Sequence, residues 1–206
     1  MSFGLVKKHK SWSQFYSESD CVMEMDRYLK IHRDFFSSIL SEKPKKILEA
    51  GCGSAIFSIY LSKQGFDCTA VDNDPEILKI AEKNDRDLKG KVQFVLGDIK
   101  QLPFKNHSFD LSFSQGVLEH FSNDEIELIL DEQLRVAKTV LFSVPHFFYH
   151  AKDFGNERLL FEWQWKRILR KYQITDSRCY YHIRRKKNFY LKLPQMYLTK
   201  IRCVSR

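Results

Sequence analysis

Short apolar runs alternate along this chain with longer stretches in which apolar residues recur every three or four positions. The short runs predict β-strands, and the longer periodic stretches predict α-helices. Strands and helices that take turns are typical of βαβ units, which build a parallel sheet with helices on its faces. Strands are predicted over residues 46–50, 68–71, 92–96, 109–114 and 139–144, and helices over residues 22–40, 55–64, 75–84 and 124–136.

Single residues mark the ends of several of these elements. Pro44 follows the first predicted helix and would break it, and Gly65 would end the second. Asp74 stands before Pro75, an order that places a capping carboxylate ahead of a proline in the first helical turn. The sequence therefore predicts that a helix begins at Pro75.

The region after residue 146 is less regular. A helix is predicted over residues 162–171, and β-prone stretches at 179–184 and 196–204 predict a closing hairpin on an edge of the sheet. The chain has no internal repeat, low-complexity segment or linker rich in proline and glycine. Because 206 residues suffice for one compact domain with a buried core, we expect a single domain over residues 1–206.

Composition indicates the environment of the protein. The chain is 43% hydrophobic, yet it has no run of about 20 consecutive apolar residues, and residues 1–10 lack the apolar run of an export signal. Its five cysteines are odd in number and form no Cys-x-x-Cys pair. We therefore expect a cytoplasmic protein with reduced thiols, without disulfides or a zinc site.

Charge is unevenly distributed. Residues 1–145 carry 19 Lys and Arg against 22 Asp and Glu, a net of −3, whereas residues 146–206 carry 15 against 4, a net of +11. A region this basic either meets phosphate or another anion, or forms a solvated surface that keeps the fold soluble. We favour the solvated surface, because the densest run, residues 184–187, fits a hairpin turn.

A turn of small residues follows the first predicted strand. Residues 49–55 read Glu-Ala-Gly-Cys-Gly-Ser-Ala and lead into a helix. Glycine lets the backbone turn sharply and lets a ligand lie against the helix amides. A tight turn between a strand and a helix also needs glycine when no ligand is bound, so this turn alone leaves both interpretations open.

Carboxylates at the ends of later strands favour a ligand. Asp72 ends the second strand, where an open position would let it accept hydrogen bonds from both ribose hydroxyls. Ile56 stands where nicotinamide-binding turns have a third glycine, and its bulk would crowd a pyrophosphate. Asp98 follows the third strand, within reach of an adenine amino group. With Glu49, these acids suit an adenosine that carries a cationic tail.

These segments together resemble the class I S-adenosylmethionine-dependent methyltransferases. The resemblance covers about residues 45–145 and implies an α/β fold, a Rossmann-like three-layer sandwich with a mostly parallel seven-stranded sheet and an antiparallel edge hairpin. It also implies a helical cap (1–44), a cofactor-binding core (45–145) and an acceptor-side region with the closing strands (146–206). The matching segments are residues 47–53, 71–72, 97–98, 102–104, 108–110 and 117–120.

The same resemblance implies a site for S-adenosylmethionine, with S-adenosylhomocysteine as the product. The glycine turn and Gln115 would lie at the methionine end, and Asp72 would lie at the ribose. Asn73, Asp98 and Ile99 would lie around the adenine. Ala55 departs from the family pattern, which often has a third glycine, but its methyl group is small enough to retain binding. The implied cofactor residues are Glu49, Gly51, Cys52, Gly53, Asp72, Asn73, Asp98, Ile99 and Gln115.

Three histidines near predicted strand ends are candidates for a general base, which is required only if the acceptor is protonated. They are His120, His146 and His150. Some quinone-pathway O-methyltransferases have a similar Glu-His pair, with an upstream glutamate, for a divalent metal. Here Gly116 occupies the upstream position, so we expect no required metal.

Aromatic residues flank the predicted core on both sides. Residues 146–150 with Phe161, Trp163 and Trp165 form either a lid over a planar or apolar acceptor or packing beneath the last helix, and packing is slightly favoured. By the habit of the family, the aromatic residues between positions 12 and 16 would form a flap over the cofactor.

The resemblance implies methyl transfer by in-line displacement, which depends on alignment more than on a catalytic group. We favour a small-molecule acceptor and expect a monomer or homodimer without a membrane partner. One alternative is an RNA or protein methyltransferase that uses the basic C-terminal region. Another is a cofactor-binding module without catalysis. The fourth strand ends Ser-Gln-Gly-Val at residues 114–117, which lacks the turns that grip a base amino group or attack a pyrimidine, so nucleic acid is not favoured.

Overall fold

The computed structural model describes residues 11–17, 21–149, 156–184 and 192–202. Seven strands in these ranges form one sheet: β1 (Lys46–Ala50), β2 (Asp67–Asp72), β3 (Gln93–Leu96), β4 (Phe109–Gln115), β5 (Ala137–Pro145), β6 (Gln173–Arg184) and β7 (Lys192–Arg202). Their order across the sheet is β3-β2-β1-β4-β5-β7-β6. The pairs among β1 to β5 are parallel, and β7 pairs antiparallel with both β5 and β6. The predicted mostly parallel sheet with an antiparallel edge hairpin is confirmed.

Helices cover both faces of this sheet. In chain order they are α1 (Trp12–Ser17), α2 (Cys21–Ile31), α3 (Arg33–Ser41), α4 (Ile56–Lys63), α5 (Pro75–Leu88), α6 (Asn123–Val136) and α7 (Glu162–Ile168), with a short 3₁₀ turn at Leu118–His120. No helix in the described ranges is long and apolar enough to cross a membrane.

Local side-chain chemistry explains where two of the helices begin. The Asp74 carboxylate accepts a hydrogen bond from the Glu76 amide at 2.8 Å, and Pro75 takes the first helical position, as predicted. At α6, Ser122 and Glu125 form a capping box, in which each side chain bonds the backbone of the other. Both helices are therefore fixed at the end that points toward the edge where the parallel strands finish.

The single helix predicted over residues 22–40 is wrong, because α2 and α3 are separated at His32. This residue has φ −99° and ψ 19°, outside the helical region. Its side chain is buried, and Nδ1 lies 2.7 Å from the hydroxyl of Tyr180, which also lies 2.6 Å from Ser143 Oγ. The break therefore directs a polar side chain of the helical cap into a hydrogen-bonded group on the sheet.

The core lies on both faces of the sheet. On one face, helices α3 and α4 pack aromatic rings on β4, where Phe35 and Phe57 each meet Phe113 edge-on. On the other face, α6 and α7 pack on β5, and the buried Trp165 contacts Phe142. Trp165 is thus a core residue, in agreement with the packing interpretation.

Candidate functional site

The turn after β1 has the backbone conformation that small residues permit. Gly51, Gly53 and Ala55 have φ of 74°, 51° and 57°, all in the left-handed region. The amides of Gly51 and Cys52 both donate to the Val71 carbonyl at 2.9 Å, which ties the turn to β2. Ala55 is therefore in a backbone conformation that glycine adopts more readily. Its side chain is fully buried.

Asp72 closes the same turn from β2. One carboxylate oxygen accepts from the Gly53 amide at 3.1 Å and the other from the Asp74 amide at 3.2 Å. Only 8% of the residue is exposed, and burial raises the pKa of its carboxyl. The expectation of an open position at this strand end is therefore wrong, because Asp72 is largely buried. Its carboxylate also stabilises the turn.

Glu49 lies behind the turn and caps a helix. Its carboxylate accepts from the Ser58 amide at 3.1 Å, in the first turn of α4, where a negative charge is favourable. The residue is 2% exposed, and burial raises the pKa of its carboxyl to about 8. Glu49 is not among the residues that line the cleft with Asp72 and Asp98, although it was predicted to line one crevice with them.

A cleft opens where β1 to β4 end, and it encloses about 760 Å³ of empty space including its mouth. It brings together six of the nine predicted cofactor residues, while Glu49, Cys52 and Gln115 are not part of its lining. The cleft is lined by Trp12, Tyr16, Gly51, Gly53, Asp72, Asn73, Ile77, Asp98, Ile99, Lys100, Gly116, Val117, His120 and Phe121.

Helix α1 forms the roof of this cleft. A β-carbon at Gly53 would lie 2.2 Å from the Tyr16 hydroxyl, so that hydroxyl rests on the glycine turn. The Trp12 ring meets the His120 ring edge-on, with centroids 4.8 Å apart. Trp12 and Tyr16 thus lie over the cleft as predicted, whereas Phe15 is not part of its lining.

His120 is the predicted base candidate that lines the cleft. Its Nδ1 lies 2.6 Å from Oδ1 of Asn156, and desolvation by burial lowers the pKa of the imidazole. A neutral imidazole beside the cleft can accept a proton. Sequence reasoning missed Asn156, Lys100 and Phe121, which stand outside the recognised motifs.

His146 is buried away from the cleft lining. Its Nε2 lies 3.1 Å from Glu162 Oε2, its Nδ1 accepts from the Phe148 amide at 3.3 Å, and the Cys179 thiol donates to Glu162 Oε1 at 3.1 Å. These contacts give His146 a packing role and do not support its prediction as a base. His150 lies outside the described residues.

The ligand atoms of His146, Glu162 and Cys179 lie within 4.8 Å of one another. The hydrogen bond from Cys179 holds the pKa of the Glu162 carboxyl near 2, and burial raises the pKa of the thiol to about 12. The proton on Nε2, required because Nδ1 accepts from an amide, and the proton on sulfur both point to Glu162. The group is thus a hydrogen-bonded link between β5, α7 and β6.

The remaining aromatic residues of the predicted acceptor-side region differ in how much of each side chain is exposed. Trp165 is buried, whereas Trp163 is 63% and Phe147 46% exposed. Phe147 stacks on Phe161 at 4.1 Å between centroids. Trp165 thus agrees with the packing alternative, and neither Trp163 nor Phe147 lines the cleft.

Part of the chain is similar to known methyltransferases. Residues 48–140 match the family model described as a methyltransferase domain. Norajmaline N-methyltransferase from Rauvolfia serpentina is 35% identical over 100 residues, 47% of this chain and 34% of that protein. The 18S rRNA (guanine-N(7))-methyltransferase of Bos taurus is 35% identical over 83 residues, 40% of this chain and 28% of that protein. The chain thus spans about a third of the length of these relatives.

A solved structure extends the similarity to the whole fold. An S-adenosylmethionine-dependent methyltransferase from Clostridium acetobutylicum superposes with a TM-score of 0.69 at 15% identity, covering 94% of this chain and 99% of that one. The sheet, the glycine turn and the acidic strand ends define a class I fold. Residues 48–140 and the fold are thus similar to the class I, S-adenosylmethionine-dependent methyltransferases, in agreement with the resemblance seen in the sequence.

Proposed function

We propose that this protein transfers the methyl group of S-adenosylmethionine to a small-molecule acceptor in the cleft beside His120. The observation that carries the proposal is the roof formed by α1. Trp12 and Tyr16 lie over the cleft between the glycine turn and the histidine. A roof at this place leaves room for a compact acceptor and restricts access by a folded polymer.

The residues of the cleft fit the cofactor in chemistry. Asp72 and Asp98, at the ends of β2 and β3, offer carboxylates to hydroxyl and amino groups of an adenosine, and they favour a cationic ligand. Gly51 and Gly53 present backbone without side chains. When bound, the cofactor supplies a methyl group that its positive sulfur makes electrophilic.

The chain contributes alignment and a proton acceptor. The turn after β1 and Asp72 on β2 hold the donor, and His120 follows β4, the neighbour of β1 on its other side. Correct alignment alone accounts for several powers of ten in rate. His120, kept neutral by desolvation, accepts a proton from an acceptor that carries one.

Ion pairs argue against use of the basic region for binding a polymer. Lys171 pairs with Glu127 and Asp131 at 3.0 and 2.8 Å, and Lys200 pairs with Glu42 at 2.8 Å. Arg202 also pairs with Glu42, at 2.7 Å. These cations are already neutralised by carboxylates of the same chain, so they offer less charge to a phosphate backbone.

An RNA acceptor is the second candidate. It is favoured by the net +11 charge of residues 146–206, which comes from 15 Lys and Arg against 4 Asp and Glu, and by the similarity to an rRNA methyltransferase. Residues 185–187 of the densest basic run lie outside the described residues. The proposal therefore needs a test that separates the two acceptors.

Two measurements provide that test. Calorimetric titration should give binding of S-adenosylhomocysteine in the micromolar range and none of NAD, and the reverse would overturn the proposal at the level of the cofactor. Transfer of a labelled methyl group should then be followed with panels of amines, phenols and carboxylic acids, and with total RNA. Labelled small molecules support the proposal, and labelled RNA alone favours the second candidate.

Charge reversal sharpens the comparison. In one variant Arg184, Arg185, Lys186 and Lys187 are replaced by glutamate, and in a control variant Lys63, Lys83, Lys91 and Lys105 are replaced in the same way. For a small-molecule enzyme both variants should retain turnover. Steeply salt-dependent RNA binding that is lost only in the first variant would support the RNA acceptor.

A further inference from the structure

The segment Asn156–Arg158 packs against the 3₁₀ turn that carries His120. The Arg158 amide donates to the Glu119 carbonyl at 2.9 Å. The Arg158 guanidinium donates to the Phe121 carbonyl and, at 2.7 Å, to Oδ1 of Asn123. These bonds reach both sides of His120, so the segment and the turn are held together.

Asn156 uses this placement to contact the imidazole. Its Oδ1 lies 2.6 Å from Nδ1 of His120. An amide oxygen accepts hydrogen bonds and cannot donate them, so Nδ1 carries the proton. In a neutral imidazole the lone pair then belongs to Nε2, the atom that can accept a proton.

The surroundings of the ring suit a base. The His120 side chain is 12% exposed and lines the cleft, with the edge of Trp12 against it. Nε2 lies 4.0 Å from Oε1 of Glu119, beyond hydrogen-bond distance, and the charge of Glu157 in the packed segment acts on the imidazole. Asp72 and Asp98 face the same cleft. These carboxylates would stabilise an imidazolium once a proton has been accepted.

We infer that Asn156 is a positioning residue, which fixes the proton of His120 on Nδ1 and so presents Nε2 as the base for an acceptor with an O–H or N–H group. This inference rests on the proposed function. As the acceptor atom bonds to the methyl carbon, the carbon–sulfur bond breaks and its electron pair stays on sulfur. The proton of the acceptor passes to Nε2, and Asn156 keeps its hydrogen bond throughout.

The tautomer can be measured without the acceptor. Long-range ¹H–¹⁵N spectra of the full chain, with and without S-adenosylhomocysteine, distinguish a protonated Nδ1 from a protonated Nε2. The wild-type protein and Asn156→Asp should show the proton on Nδ1, because both offer an oxygen acceptor. Asn156→Ala should shift His120 toward the Nε2–H form. Asn123→Ala, which removes only a bond to Arg158, should leave the tautomer unchanged.

Each result bears on one proposal. A wild-type proton on Nε2, or an unchanged tautomer in Asn156→Ala, would overturn the role of Asn156. Failure of S-adenosylhomocysteine to bind would overturn the proposed function and leave the tautomer result standing. With an identified acceptor, Asn156→Ala should lower kcat about 10- to 100-fold with little change in the KM for the cofactor. Asn156→Asp should restore much of kcat and move its pH profile to higher pH, since a carboxylate raises the pKa of His120. A KM effect alone would contradict the inference.

Discussion

The hydroxyl of Tyr16 rests on Gly53, so closely that a β-carbon built on the glycine would lie 2.2 Å from it. This contact joins the roof of the cleft to the turn beneath it. The turn is therefore limited from two directions, by its own left-handed backbone and by the helix above it. Several expected outcomes follow from this and other contacts.

Gly53→Ala should weaken binding of S-adenosylhomocysteine at least 10-fold and lower the melting temperature. A side chain at φ 51° costs about 1–2 kcal/mol, and Tyr16 must also move away. Gly65→Ala is the matched control, because Gly65 has φ 93° but no atom within 4 Å of the added carbon. That control should have a lower melting temperature but keep wild-type affinity for S-adenosylhomocysteine. Wild-type affinity in Gly53→Ala would mean that the roof moves freely.

Asp72→Ala should lower both cofactor affinity and stability. In the proposed complex Asp72 also accepts two charge-assisted hydrogen bonds from ribose, and their loss would weaken binding by about two to four orders of magnitude. The amides of Gly53 and Asp74 also lose their acceptor, which costs about 1–3 kcal/mol of unfolding free energy. Calorimetric titration and urea unfolding measure the two effects. Asp67→Ala, at the exposed opposite end of β2, should show neither.

Glu49 should make the protein less stable as the pH rises. Burial raises the pKa of its carboxyl from 4.5 to about 8, so between these values the unfolded chain releases a proton that the folded chain retains. Unfolding free energy should fall by up to about 1.4 kcal/mol per pH unit in that window. Glu49→Gln keeps an acceptor for the Ser58 amide and should remove this slope. Identical pH profiles for both proteins would show that Glu49 is ionised in the fold.

His32 should have the opposite effect in acid. Burial lowers the pKa of its imidazole from 6.5 to about 3, so the unfolded chain binds a proton that the folded chain excludes. The contribution of neutral His32 to the free energy of unfolding is complete above pH 6.5 and is lost as the pH falls toward 3. His32→Gln should flatten the acid limb of the stability curve, measured by chemical unfolding from pH 4 to 7. The same change at His182, exposed on β6, should not.

The regular elements of the core were predictable because their patterns are local. Strands β1 to β5 and the start of α5 follow from apolar runs and one capping motif. The break between α2 and α3 was not predictable, since it depends on a hydrogen bond between His32 and a tyrosine 148 positions away. Burial by the tertiary structure, not a helix-breaking residue, divides that segment.

The candidate site was predictable only where its residues follow from their positions at the ends of strands. Gly51, Asp72 and Asp98 meet in one cleft because they end neighbouring parallel strands. Glu49 sits on the same edge, but its side chain points to α4, and strand position alone does not give that direction. Asn156 had no signal in the sequence, because it lies in an irregular segment that the Arg158 amide joins to the Glu119 carbonyl.

The place of β7 in the sheet has a consequence for folding during synthesis. Although β7 is the last of the described strands along the sequence, it lies inside the sheet, between β5 and β6. Until residue 202 has left the ribosome, β5 keeps an open edge and β6 has no partner among the described strands. Strands β1 to β4 can assemble early, whereas β5 and β6 are joined only when β7 is available. A nascent chain of this protein should therefore depend on protection of the β5 edge until β7 is available to pair with it.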